Sequence, residues 1–183
     1  MTFLEPFVLY EVPISSLTLT LGSGKAYEFP DTLRNGRANY ILFEELIRAI
    51  TGLFKEKQSD HVSSDGKKYE QKAYPDPEIY PEAKFDNFQT SASSTFGANN
   101  NGPRIKKLLE ESSYEEALKI CKETGYSKND FYIYTNTSGY KLEIPFRYIV
   151  IPVESVLERL NRKDPREISR VSILNAVTKK ISI

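Results

Sequence analysis

Residues 60–72 read DHVSSDGKKYEQK, and the fold turns on how this stretch is read. Asp65-Gly66 is a strong turn signal between short strands, because glycine supplies the positive φ of a tight turn and aspartate bonds its own backbone. Beyond the turn, Tyr69 to Tyr74 is short and aromatic at both ends, which suits a strand. Side chains alternate along a strand, so Glu70 and Lys72 share a face. The turn at Ser64–Lys67 folds the chain back and brings Asp60 beside them. Two carboxylates and one ammonium then converge.

Upstream of this hairpin, the span from Ala38 to Phe54 changes period. Leu42, Phe43, Leu46, Ile47, Ile50, Leu53 and Phe54 form one broad apolar face, with Glu44, Glu45 and Arg48 elsewhere on the wheel. That is a helix. Before it, residues 3–21 form two extended pieces split by Pro13, the second closed by a turn at Gly22 to Gly24. Downstream, residues 75–103 contain Pro75, Pro77, Pro81 and Pro103 and polar runs, an irregular stretch long enough to suggest a functional loop. A helix starting at Pro103 and a second over 114–124 follow. Phe131–Tyr134 and Leu142–Ile151 read as strands, and Val153–Leu160 as a short helix after Pro152. The sum is a mixed α/β (α+β) reading, with a central mixed sheet flanked by helices.

With 183 residues, one domain spanning 1–183 is the expectation, its first part (about 1–57) available to a dimer interface and 58–183 carrying catalysis and recognition. The chain holds 25 Lys+Arg against 25 Asp+Glu, and the zero net charge argues against a protein that coats nucleic acid through bulk positive charge. The balance is uneven, since residues 158–183 hold seven Lys/Arg against three Asp/Glu, a local charge of +4. One cysteine, Cys121, excludes an intrachain disulfide framework and a multi-cysteine zinc site. The absence of a long apolar run and of a basic leader points to a cytoplasmic, non-membrane protein.

Hard oxygen ligands such as Asp60 and Glu70 suit Mg²⁺, which keeps several waters and takes its remaining ligands from phosphate. A lysine at Lys72 can orient an attacking water and offset charge on a pentavalent transition state. The set is built for phosphodiester hydrolysis. The spacing alone is weakly specific, because these are common surface residues and a solvated hairpin would carry them too.

The segment Asp60-His-Val62-Ser-Ser-Asp-Gly66-Lys-Lys-Tyr69-Glu70-Gln-Lys72 resembles the active-site segment of the PD-(D/E)xK nucleases. It is most similar to the PvuII-like type II restriction endonucleases, with Asp, Val, Gly, Tyr, Glu and Lys at the same relative positions. The resemblance implies that Asp60 and Glu70 are metal ligands and that Lys72 is the catalytic lysine. Two departures stand out: Gln71 replaces the usual apolar residue, and Ser59 stands where the family name has proline. Gln71 leads to the expectation that this face of the strand is less buried.

Asn99, Asn100 and Asn101 lie where the related enzymes carry a polar base-reading run, histidines there rather than asparagines. An asparagine amide matches adenine N6 and N7 in the major groove, although a turn explains three asparagines as well. Ser93, Ser94 and Thr95 are candidate DNA contacts. Arg104 and Lys106, at a helix start, are candidate phosphate clamps beside the plainer reading of a solvated basic face. A rival set, Asp76 with Glu82 and Lys84, is disfavoured because Pro77 and Pro81 interrupt a hairpin ladder. His61, beside Asp60, and Cys121 read as structural. Glu44 and Glu45 are a weaker option for approaching the metal from the helix.

The expected activity is Mg²⁺-dependent, site-specific hydrolysis of double-stranded DNA at a short palindrome. The enzyme would be a homodimer, because cutting both strands of a palindrome takes two active sites related by a two-fold axis. A cognate DNA methyltransferase would be its functional partner. The alternatives are a structure-selective nuclease and a non-catalytic DNA-binding module.

Overall fold

The structure is a computed structural model that describes residues 3–14, 18–20, 24, 26–28, 39–57, 59–76, 104, 107–108, 110–123, 129–138, 140, 143–158 and 176–182. In chain order the elements are β1 (Val8–Val12), β2 (Thr18–Thr20), β3 (Ala26–Glu28), α1 (Asn39–Thr51), β4 (His61–Val62) and β5 (Lys68–Pro75). They continue with α2 (Tyr114–Glu123), β6 (Phe131–Ser138), β7 (Phe146–Pro152), α3 (Val153–Glu158) and β8 (Val177–Lys180).

Six strands form one mixed sheet in the order β4-β5-β6-β7-β1-β8, and β2 with β3 forms a separate hairpin. β5 runs parallel to β6, and β8 runs parallel to β1; the remaining neighbours are antiparallel. A parallel pair needs a crossover, and the chain between β5 and β6 contains α2. The expected mixed α/β architecture is therefore present. The centre of the sheet does not alternate in burial: Tyr132, Ile133, Tyr134, Thr135 and Asn136 are buried in succession, as are Tyr148 to Ile151. That continuity marks strands covered on both faces.

α1 supplies much of one cover. Leu42, Phe43, Leu46 and Ile47 join Tyr10 and Val12 of β1, Tyr69 of β5, Ile133 of β6 and Phe146 and Tyr148 of β7 in one core cluster. Each side chain so enclosed contributes about 1.5–3 kcal/mol. Phe43 stacks on Phe146 at 5.3 Å between ring centroids. The helix ends at Thr51, where Gly52 takes φ +73° and its amide donates to the Arg48 carbonyl at 2.9 Å. Leu53 and Phe54, expected within the helix, lie past it. Leu53 turns into the core, and Phe54 exchanges two backbone hydrogen bonds of 2.8 Å with Val62.

The turn between β4 and β5 forms as expected. Gly66 has φ +83°, its amide donates to the Ser63 carbonyl at 2.9 Å, and the Ser63 amide donates to the Lys67 carbonyl at 2.9 Å. β5 is longer than the Tyr69–Tyr74 reading by a residue at each end. The second strand of the later pair begins at Phe146 rather than Leu142, because Pro145 lacks the amide a ladder needs and the chain turns at Glu143 and Ile144. Val177–Lys180, read only as a basic tail, adds to the sheet edge. There Lys179 pairs with Glu5, and Lys180 lies 3.8 Å from Glu11.

Candidate active site

Asp60 sits one residue before β4, at the point where the short ladder to β5 ends. Its carboxylate takes over from the missing backbone partner: Oδ2 accepts a hydrogen bond of 2.7 Å from the Gln71 amide. Gln71 is the residue between Glu70 and Lys72. The alternation of β5 puts those two side chains on one face, where Lys72 Nζ donates to Glu70 Oε1 at 2.5 Å. Both are partly buried, 22% and 24% exposed, so the pair is screened less than a surface ion pair. The three residues singled out in the sequence are thus adjacent through the hairpin and the ladder.

α1 meets the hairpin at Asp60 and His61 through Arg48, and it also carries Glu44. Glu44 has its carboxyl held above the ordinary value, first by burial and then by the negative charge of Asp60. The two acids therefore feel one another across the gap between helix and hairpin. Glu45, by contrast, is held low by its hydrogen bond with Arg48. The helical option raised for Glu44 and Glu45 divides: Glu45 takes the two-pronged hydrogen bond of Arg48, whereas Glu44 lies 3.7 Å from the same guanidinium and feels the Asp60 charge.

The residues fit an open Mg²⁺ site better than a closed one. Among the described residues, no group of three or more His, Cys, Asp or Glu side chains stands ready to hold a metal ion by itself. Mg²⁺ asks for less, since it retains waters and commonly binds through one or two carboxylates plus substrate phosphate. Asp60 and Glu70 supply that donor type, and Glu44 adds negative potential.

Beneath this face lies a buried polar chain whose members the sequence reading had left apart. Arg48, on the polar side of the helical wheel, is only 9% exposed. Its Nη2 and Nε donate to the two oxygens of Glu45 at 2.7 and 3.2 Å. Its Nη1 reaches the Asp60 carbonyl at 3.3 Å and His61 Nδ1 at 3.2 Å. His61 is fully buried, and its Nε2 lies 2.8 Å from Gln71 Oε1. A guanidinium only donates, so Nδ1 accepts and Nε2–H donates, which fixes the neutral tautomer. Burial chiefly, with the Arg48 charge, holds the His61 pKa below its ordinary value, against the hydrogen bond to Gln71.

This chain explains the polar residue at position 71. The strand face there is partly buried, and Gln71 is polar because it must satisfy a buried imidazole. The signals were present in the sequence: a lone histidine next to Asp60, an amide at a usually apolar position, and an arginine three and four residues after two glutamates. Only their convergence was hidden.

Asp76, the anchor of the rival set, is occupied elsewhere. It is 1% exposed, accepts from Asn136 Nδ2 at 2.8 Å and pairs with Arg147 Nη1 at 3.1 Å. Arg147 also reaches Glu11 at 3.0 Å, which ties the end of β5 to β6, β7 and β1. Glu82 and Lys84 lie outside the described residues. So do Ser93, Ser94, Thr95, Asn99, Asn100, Asn101 and Lys106, and with them most of the expected DNA-reading set. Arg104 is described, exposed, and paired with Glu116 at 3.0 Å.

Comparison with protein-family models, with curated proteins and with solved structures gives no match for this chain. Among the described residues, no helix is long and apolar enough to cross a membrane.

Proposed function

We propose that this protein is a Mg²⁺-dependent type II restriction endonuclease of the PD-(D/E)xK kind, hydrolysing phosphodiester bonds in double-stranded DNA at a short palindrome. The observation that carries the reading is the Asp60 carboxylate docked on the Gln71 amide, beside a Glu70–Lys72 pair on one face of β5. The segment likeness supplies the chemistry, and the hairpin geometry is what such chemistry needs.

In this reading Asp60 and Glu70 hold the ion. When bound, Mg²⁺ polarises a phosphoryl oxygen and makes a water more acidic. Lys72 orients the attacking water and offsets negative charge as the phosphorus becomes five-coordinate. Its ammonium already stands on Glu70 Oε1, so the carboxylate places the lysine. Glu44 deepens the negative potential that draws a divalent cation into the site.

Cutting both strands calls for a homodimer, and the exposed Tyr40, Ile41 and Phe54 on and just after α1 offer apolar surface for it. A cognate DNA methyltransferase is the functional partner, and the cytoplasm is the expected setting.

The test is incubation of the full chain with unmethylated plasmid and Mg²⁺, which should give discrete fragments. Glu70→Ala and Lys72→Ala should each lower the cutting rate about a hundredfold or more. Sequence-specific binding in Ca²⁺ should survive both changes. Fragments without fixed ends, or cleavage confined to branched DNA, would favour a structure-selective nuclease. DNA binding indifferent to Mg²⁺ and to all three residues would leave a non-catalytic module.

A further inference from the structure

Arg48 is where the helix meets the hairpin, and its contacts close a circuit around Asp60. One arm runs from Nη1 to the Asp60 carbonyl at 3.3 Å. The other runs from Nη1 to His61 Nδ1 at 3.2 Å and from His61 Nε2 to Gln71 Oε1 at 2.8 Å. The backbone N–H of the same Gln71 donates to the Asp60 carboxylate at 2.7 Å. Asp60 is held at both ends, its carbonyl by the guanidinium and its carboxylate by the backbone of the β5 residue whose side chain the His61 arm engages. The guanidinium is itself fixed by the two-pronged contact with Glu45 and lies 3.7 Å from Glu44. A planar fork can serve these directions at once; an ammonium cannot.

We infer that Arg48 is the positioning residue of the site, setting the Asp60 carboxylate relative to Glu70 and Lys72 through the Asp60 carbonyl, His61 and Gln71. The inference rests on the metal-site reading of Asp60 and Glu70, and it assigns the departure at Gln71 a task in that site.

The chain holds a single histidine, which gives the test a built-in probe beside the site. Mn²⁺ is added to the full-length protein with its histidine labelled with ¹⁵N, and binding is followed by relaxation of water protons and broadening of the His61 signal. The unaltered protein should show the Nε2–H tautomer and lose the His61 signal as Mn²⁺ binds. Arg48→Lys, which keeps the charge, and Gln71→Leu, which leaves Arg48 in place, should each weaken Mn²⁺ binding about tenfold or more. Each should also shift the imidazole nitrogens away from the single tautomer.

Arg147→Lys, in the distant Asp76 network, should lower thermal stability and leave Mn²⁺ affinity unchanged. That control separates positioning from loss of stability. If the unaltered protein binds Mn²⁺ and both brace variants bind it equally well, the positioning role is wrong and the site reading stands. If the unaltered protein shows no Mn²⁺ binding, the site reading fails and takes the positioning role with it. Should Arg48→Lys not fold, Gln71→Leu decides.

Discussion

Arg48 Nη1 lies 3.2 Å from His61 Nδ1, a donor-only cation facing the accepting nitrogen of a fully buried imidazole. A second proton on that imidazole would put two cations together and leave Nδ1–H pointing at another donor. The folded chain therefore resists protonation at His61.

The sign of the pH dependence follows. The ordinary histidine pKa is 6.5, and the folded value lies below it. Between the two, the unfolded chain binds more protons than the folded one, so this residue's contribution makes stability fall as pH falls below 6.5. Following the sole imidazole by NMR should give a midpoint under 6.5 in the native protein. A midpoint at or above that value contradicts the buried neutral tautomer. Denaturant midpoints measured in the same range should drop toward acid, less steeply in His61→Gln.

Glu44 should behave in the opposite sense. Burial and the Asp60 charge raise its carboxyl above 4.5, so the ionised side chain strains the metal-free fold at neutral pH. Glu44→Gln should raise the melting temperature without added metal, and the advantage should vanish as the pH falls below 4.5. In the proposed enzyme the same change should weaken the response to Mg²⁺. An unchanged melting temperature at pH 7 would remove Glu44 from the cluster.

The Asp76–Arg147 pair is a structural charge pair with large consequences for stability. Replacing Arg147 by Met deprives a carboxylate that is 1% exposed of its guanidinium. Breaking a buried pair from one side costs roughly 3–5 kcal/mol. Equilibrium unfolding in urea should show a loss of that size, with the double change Arg147→Met and Asp76→Leu recovering much of it. A loss under about 1 kcal/mol would mean the pair is far better hydrated than its burial implies.

Gly66 offers a test of the hairpin that carries Asp60 to Glu70. A Cβ at this position meets nothing within 4 Å, so only the φ of +83° opposes a side chain. Gly66→Ala should cost about 1 kcal/mol, and Gly66→Asn less, because asparagine tolerates the left-handed region. Urea unfolding of the three proteins should rank them glycine, asparagine, alanine.

Local features settled a good deal here. The amphipathic period over 38–54 fixed α1 and its core face, because that stripe has only one way to leave water. Asp65-Gly66 fixed the hairpin, because few residue pairs adopt its dihedral angles. Alternation then obliged Glu70 and Lys72 to share a face, whatever the rest of the chain did. Tertiary structure decided what no local pattern carries. The period alone ran on through Leu53 and Phe54, yet the helix stopped at Gly52 once the hairpin offered Phe54 a backbone partner in Val62. Arg48 read only as a residue off the apolar face, yet it is buried, because the hairpin brings His61 and the Asp60 carbonyl to it. Gln71 read as a departure from pattern, and only the position of His61 gives it a partner. Burial of a polar side chain depends on which distant segment arrives to cover and satisfy it, and that arrival is a property of the assembled sheet and helix.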